Sequence, residues 1–291
     1  MSFEEVMARI QPMLVATDAL AAIGAELTLQ TSGEAGDPGI ESALAAVSTA
    51  AGLPGLESLE PPHQAMVLNL IRLFFAQAND LLREPARPPG WTFTDPLVLE
   101  GMGRGSMMIP SVLAAAPELE SVTSLLDVGV GVGWLAVSAT NVWADATVVG
   151  IDVWEPALER ARANVRAAGL EDRITLRNQD ITALDDVDAY DCAWVPTFFI
   201  PDEALVKGLA NIVNAVHPGG WIVLGRFESP PDPLAEATMT LRTIRSGGCV
   251  LDNSRATELL HDAGCTSIRV LERSVSLPIG FVIGRRPLTS A

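Results

Sequence analysis

Positive charge is scarce in this chain. Lys207 is its only lysine, and 19 Lys and Arg face 36 Asp and Glu, for a net charge of −17. A surface of that sign repels phosphate backbones and anionic bilayers, which excludes nucleic acid and a membrane surface as partners. Cysteine is scarce too. Cys192, Cys249 and Cys265 are odd in number and scattered, so they fit neither a disulfide framework nor a zinc spacing. They read as reduced thiols of a cytoplasmic protein. With three histidines and no Cys/His cluster or HExxH-like spacing, no metal is expected. The apolar runs are too short and too interrupted to span a bilayer. The opening residues Met1 to Glu5 carry acid where a signal peptide needs base. What the chain has in quantity is apolar residues: 48% are hydrophobic and mean hydropathy is +0.29. That suffices for a sizeable globular core.

The first 120 residues read as helices. Apolar residues fall at helical spacing over Phe3 to Leu29, Ile40 to Ala51 and Pro62 to Leu82, with Gly- and Pro-rich breaks between. A fourth helix is expected over Asp95 to Ala115, loosened at Gly101-Met102-Gly103-Arg104-Gly105. From Ser121 the pattern becomes strand–helix alternation. Strands are expected at 124–128, 146–152, 173–177, 190–195, 221–225, 267–271 and 280–284. Such alternation argues for a parallel sheet covered by helices on both faces. Ligands of such sheets sit at the carboxyl ends of the strands. The expected division is a helical cap over 1–120 and a sheet domain over 121–291.

The first strand runs into Asp127-Val128-Gly129-Val130-Gly131-Val132-Gly133 and then a helix. Alternating glycines let the backbone turn sharply and approach a ligand closely, and the helix start offers free N–H groups. The spacing is GxGxG; a dinucleotide site usually shows GxGxxG. Asp127 would repel a pyrophosphate and attract a cationic amino group. The second strand ends in Asp152, where an acid can accept both hydroxyls of a ribose. After the third strand, Asp180 can accept from an adenine amino group, with Ile181 against the ring.

This ordered set, with His217-Pro218-Gly219-Gly220 before the fifth strand, resembles the class I S-adenosylmethionine (SAM) dependent methyltransferases over about Leu125 to Leu224. The resemblance implies a Rossmann-like, seven-stranded, mostly parallel sheet whose last strand is antiparallel, here with an N-terminal helical cap. It also implies S-adenosyl-L-methionine as cofactor. Asp127, Gly129, Gly131 and Gly133 would cradle the methionyl part, Asp152 would bind ribose, Asp180 would meet adenine, and Val153, Ile181 and Val195 complete the cofactor set. Arg104 would pair with the methionyl carboxylate.

Methyl transfer is an in-line displacement, so the protein mainly aligns the reactants, and a base is needed only where the nucleophile loses a proton. Val195-Pro196-Thr197-Phe198 at the fourth strand tip lacks the acid or amide of amino-methylating relatives, which points to an O or C acceptor in a small molecule of specialised metabolism. Thr197 is a candidate hydrogen-bond donor, Glu100 and Glu228 are candidate acids, and no histidine is a convincing base. Trp194 and Phe199 offer an apolar or cation-binding wall, or core. Trp91 packs the cap on the sheet or closes the pocket. Glycines and methionines over 100–108 suit a flexible lid. The apolar face near Leu70 to Phe75 leaves room for a homodimer. The alternative function is use of SAM without methyl transfer, either cyclisation releasing methylthioadenosine or a SAM-bound lyase or cyclase.

Overall fold

A computed structural model describes residues 1–228, 232–272 and 278–288. The chain forms two compact units: Met1–Pro85 with Asp95–Gly105, and Ala86–Thr94 with Ser106–Ala291.

The helical unit holds α1 (Phe3–Ser32), α2 (Pro38–Ala50), α3 (Pro61–Arg83) and α4 (Pro96–Gly105). α1 starts at a capping box: the Ser2 hydroxyl accepts from Glu5 N at 3.2 Å and Ser2 N donates to the Glu5 carboxylate at 2.7 Å. It ends at Gly33, whose left-handed φ of 69° closes the last turn. Ile23 and Leu27 meet Leu56, Leu68 and Ile71 in a small core.

Two expectations change here. α1 and the His63–Arg83 part of α3 are long and apolar enough to cross a membrane by length and composition, with mean hydropathy 1.4 and 1.2 and 17% of each window buried. Reading uninterrupted apolar runs missed this, because widely spaced polar residues interrupt the runs without making the windows polar. And α4 runs unbroken through Gly101 to Gly105, so the lid reading gives way to a helix. Gly101 serves packing: a Cβ there would lie 3.2 Å from the Asn69 carbonyl of α3.

The sheet unit begins with α5 (Ile109–Ala114), then β1 (Ser124–Val128), α6 (Trp134–Val142), β2 (Thr147–Asp152), α7 (Glu155–Ala167), β3 (Ile174–Asn178) and β4 (Tyr190–Pro196). It continues with α8 (Asp202–Ala215), β5 (Val216–Phe227), α9 (Pro233–Arg245), α10 (Asn253–Asp262), β6 (Thr266–Val270) and β7 (Ile279–Arg285). The strand order is β3-β2-β1-β4-β5-β7-β6. β7 pairs antiparallel with β5 and β6, and β1 to β5 are mutually parallel. β1 and β4 are buried along almost their whole length, as central strands covered on both faces must be. The chain order reverses between β1 and β4, which opens the crevice where such sheets bind ligands.

The units divide ahead of residue 120 because Ile109, Leu113 and Leu119 are buried in the core of the sheet unit with Leu125 and Trp143. β5 starts earlier than expected: His217 to Gly220 lie within it, across a register irregularity opposite Tyr190 and Cys192. α9 was not anticipated. Its signal was present in Asp232, which caps it by accepting from Ala235 N, followed by Pro233 in the first turn.

Candidate functional site

The glycine loop follows β1 at the middle of the sheet. Gly129, Gly131 and Gly133 all have positive φ, 64°, 56° and 85°. An L side chain at each would be strained by about 1–2 kcal/mol, so the sequence makes the loop with glycine. The turn leaves α6 without a side-chain cap, and its first N–H groups face the loop.

Asp152 at the tip of β2 braces this loop. One carboxylate oxygen accepts from Gly131 N and the other from Trp154 N, both at 2.8 Å. Burial outweighs the backbone donors and raises its pKa above the ordinary carboxylate value. Asp127 lies at the end of β1, 1% exposed, and its Oδ2 has no hydrogen-bond partner. Burial, and then the charge of Asp152, push Asp127 well above the ordinary carboxylate range. A buried carboxyl with an unused oxygen beside a second carboxylate is a site for a cation or a hydrogen-bond donor.

The other expected residues divide. Val153 is 62% exposed beside Asp152. Asp180 is exposed and caps the short 3₁₀ turn Ile181–Ala183, its Oδ1 accepting from Thr182 N and Thr182 Oγ1 at 2.7 Å. The Ile181 side chain is turned into the core under α8, where a Cβ on Gly208 would meet it at 2.6 Å. Val195 is fully buried in the same core, so only its backbone reaches the strand tip.

The acceptor-side candidates change more. Thr197 is fully buried and its hydroxyl donates to the Gly225 carbonyl at 2.8 Å, so that hydroxyl is committed to the fold. Glu228, just past the end of β5, forms an ion pair with Arg226 and packs on Gly280 of β7. Trp194 is core, 5.9 Å from Phe281 between ring centroids. Glu100 and Arg104 sit one turn apart on α4 in the helical unit, 3.9 Å from each other.

A feature the sequence reading gave no structure is the segment 86–94, which belongs to the sheet unit. At one end Gly90 N donates to the Arg245 carbonyl at 3.1 Å, and the Arg245 guanidinium donates to the Arg87 carbonyl at 3.1 Å. At the other, the Trp154 indole N–H donates to the Phe93 carbonyl at 2.9 Å. Between them Trp91 packs edge-on against Phe93 and Phe199, at 5.1 and 5.3 Å. Its signal was Trp91 and Phe93, two aromatics on alternate residues after a Pro-Pro-Gly turn.

Residues 125–220 match the family model of a methyltransferase domain. Over those residues the chain carries a methyltransferase domain. It is 30% identical over 190 residues to the methyltransferase GfsG of Streptomyces halstedii, covering 60% of this chain and 65% of that one. The chain therefore spans just under two thirds of that relative. It is 31% identical over 124 residues to the 27-O-demethylrifamycin SV methyltransferase of Amycolatopsis mediterranei, covering 42% and 44%. Among solved structures, the S-adenosylmethionine-dependent methyltransferase SibL aligns over 97% of this chain and 99% of its own, with a TM-score of 0.68 at 22% identity. The shared fold thus extends through the helical unit, well beyond the methyltransferase domain.

Proposed function

We propose that the protein transfers a methyl group from S-adenosylmethionine to an oxygen or carbon atom of a small molecule in specialised metabolism. The observation that carries this reading is the braced loop: Asp152 holding Gly131, with the buried Asp127 beside it, at the crevice of a methyltransferase domain. One relative, at 31% identity, is named for an O-demethylated rifamycin, which supports oxygen and a specialised metabolite.

SAM supplies an electrophilic methyl group on a sulfonium. The chain's part is to hold and orient. Asp152 offers lone pairs beyond the two already used, enough for ribose hydroxyls. Asp127 offers the methionyl ammonium a buried carboxylate. Asp180 and Val153 flank the adenosine side. Among the described residues at the tips of β4 and β5, Thr197 is already bonded to Gly225 and Glu228 is already paired with Arg226. That favours an acceptor that ionises readily, such as an acidic hydroxyl or an enolic carbon. A homodimer is part of the reading, supported by the exposed Leu70 on α3 and Met13, Leu14 and Val15 on α1. So is a cytoplasmic setting, supported by three buried free thiols.

Calorimetry with SAM should show one site per chain; an absence of binding overturns the proposal. Incubation with SAM alone should release no methylthioadenosine. Its release would assign cyclisation in place of transfer.

Asp127 gives binding a pH dependence. Its raised pKa means the free site holds a proton that a cationic ligand displaces. Affinity for SAM should therefore rise with pH from the ordinary carboxylate range up to the raised value, and Asp127→Asn should flatten that rise. The same shift acts oppositely on stability. The folded state keeps a proton that the unfolded chain has already lost, so the ligand-free fold weakens as pH rises through that window. Titrations and thermal melts at several pH values check both signs.

A further inference from the structure

The strap 86–94 bridges two strand tips. Its Arg87–Gly90 end is fastened to the turn after α9, and that turn is fastened to β4: Cys249 N donates to the Thr197 carbonyl at 2.9 Å, and a Cβ on Gly248 would lie 2.0 Å from the Phe198 carbonyl oxygen. Gly247, with φ of 83°, lies so close to the strap that a Cβ there would be 2.9 Å from Gly90 Cα. The Phe93 end is fastened to Trp154, two residues beyond Asp152 at the tip of β2. β2 and β4 are separated by β1 alone. Two strand spacings are about 10 Å, and three residue steps from Gly90 to Phe93 reach about 10 Å when extended. With one end held beside β2 and the other beside β4, the strap lies at the carboxyl end of the sheet, the end at which the glycine loop turns.

What it carries there is aromatic. Trp91, Phe93 and Phe199 are each partly exposed, and Phe198 behind them is buried and stacked on Phe227 at 4.2 Å. The Trp91 contacts are edge-to-face, with interplanar angles of 62° and 75°. An edge-to-face contact covers at most one side of a ring, and a partly exposed ring takes a further ring well. The nearby Thr197 hydroxyl is already committed to Gly225, so this wall selects by shape and ring contact more than by hydrogen bonding.

We propose that Trp91, with Phe93 and Phe199, is the specificity-determining wall for the acceptor, and that the acceptor is a planar aromatic molecule whose ring packs on Trp91. This rests on the methyltransferase reading above and adds the substrate class and the residue that selects it. Trp91 is a positioning residue: it fixes the ring beside the cofactor and takes no proton.

The test uses the full chain saturated with S-adenosylhomocysteine, and two probes of matched size, 2-naphthol and its saturated counterpart decahydro-2-naphthol. The expected result is a preference of about tenfold for 2-naphthol, the order of the extra stabilisation of two aromatic pairs. Trp91→Leu should reduce that preference to about twofold or less with the affinity for S-adenosylhomocysteine unchanged, and Trp91→Phe should keep most of it. Equal binding of the two probes, or an undiminished preference in Trp91→Leu, overturns the proposal. So does a parallel loss of S-adenosylhomocysteine affinity in Trp91→Leu, which would place the ring against the cofactor. Thermal midpoints of the two variants separate these outcomes from unfolding. Failure of S-adenosylhomocysteine itself to bind would instead sink the methyltransferase reading, and the naphthol pair can still be compared on the free protein.

Discussion

Asp152→Ala is expected to reduce affinity for SAM by a hundredfold or more, about 3 kcal/mol. Two losses combine. The carboxylate is the proposed acceptor for the ribose hydroxyls, and hydrogen bonds to a charged partner are worth about 1.5–3 kcal/mol each. It is also the brace that holds Gly131 N at 2.8 Å and so sets the glycine loop. Alanine leaves the Gly131 and Trp154 N–H groups without that acceptor. It also removes a charge that raises Asp127, so the pH dependence of binding should shift towards acid. Asp152→Asn keeps the shape and one acceptor oxygen and should fall between the two. Calorimetry on folded protein, checked by circular dichroism, measures the series. Unchanged affinity in Asp152→Ala would remove the site from this end of the sheet.

Gly225→Ala is expected to be among the most destabilising single-methyl changes in the sheet unit. A Cβ at Gly225 would lie 2.0 Å from Trp194 Cη2 and 2.6 Å from Cζ3. Trp194 is itself 2% exposed and packed on Phe281, so the indole has nowhere to move. Overpacking of this kind costs about 1–3 kcal/mol and occasionally more; with both partners on central strands we expect about 3 kcal/mol. For a unit of this size that lowers the thermal midpoint by about 6–12 °C. Gly105→Ala is the control, since nothing lies within 4 Å of a Cβ there. It should be neutral or slightly stabilising in differential scanning calorimetry. A small shift in Gly225→Ala would mean that Trp194 repacks freely.

The sheet was legible because each of its signals is local. β1 and β2 are short apolar runs ending in Asp127 or Asp152, the glycine loop needs positive φ, and strand–helix alternation leaves few topologies. The glycine loop of the candidate site was legible for the same reason. The side chains at the fourth strand tip were not. Whether Thr197 faces a ligand or Gly225, and whether Ile181 faces a ring or Gly208, depends on partners about 27–28 residues further along the chain. Nothing in the run Trp194 to Phe199 reports them. Gly101 to Gly105 misled in a similar way: glycine reads as a breaker, but Gly101 is small because α3 passes close by. The strap was invisible because its fastening to Arg245 joins residues 158 positions apart.

That separation bears on how the chain is built. The helical unit is interrupted by the strap, so its last helix, α4, comes after residues that belong to the other unit. No single cut parts the two. A fragment starting at Ser106 would keep every strand and lose the piece that joins Trp154 to Arg245. During synthesis, residues 86–94 leave the ribosome long before α9 exists to receive them. They must wait, while α4 is free to join α3, until Arg245 has been made. Pulsed hydrogen exchange at Gly90 N during refolding would report when that late closure is complete.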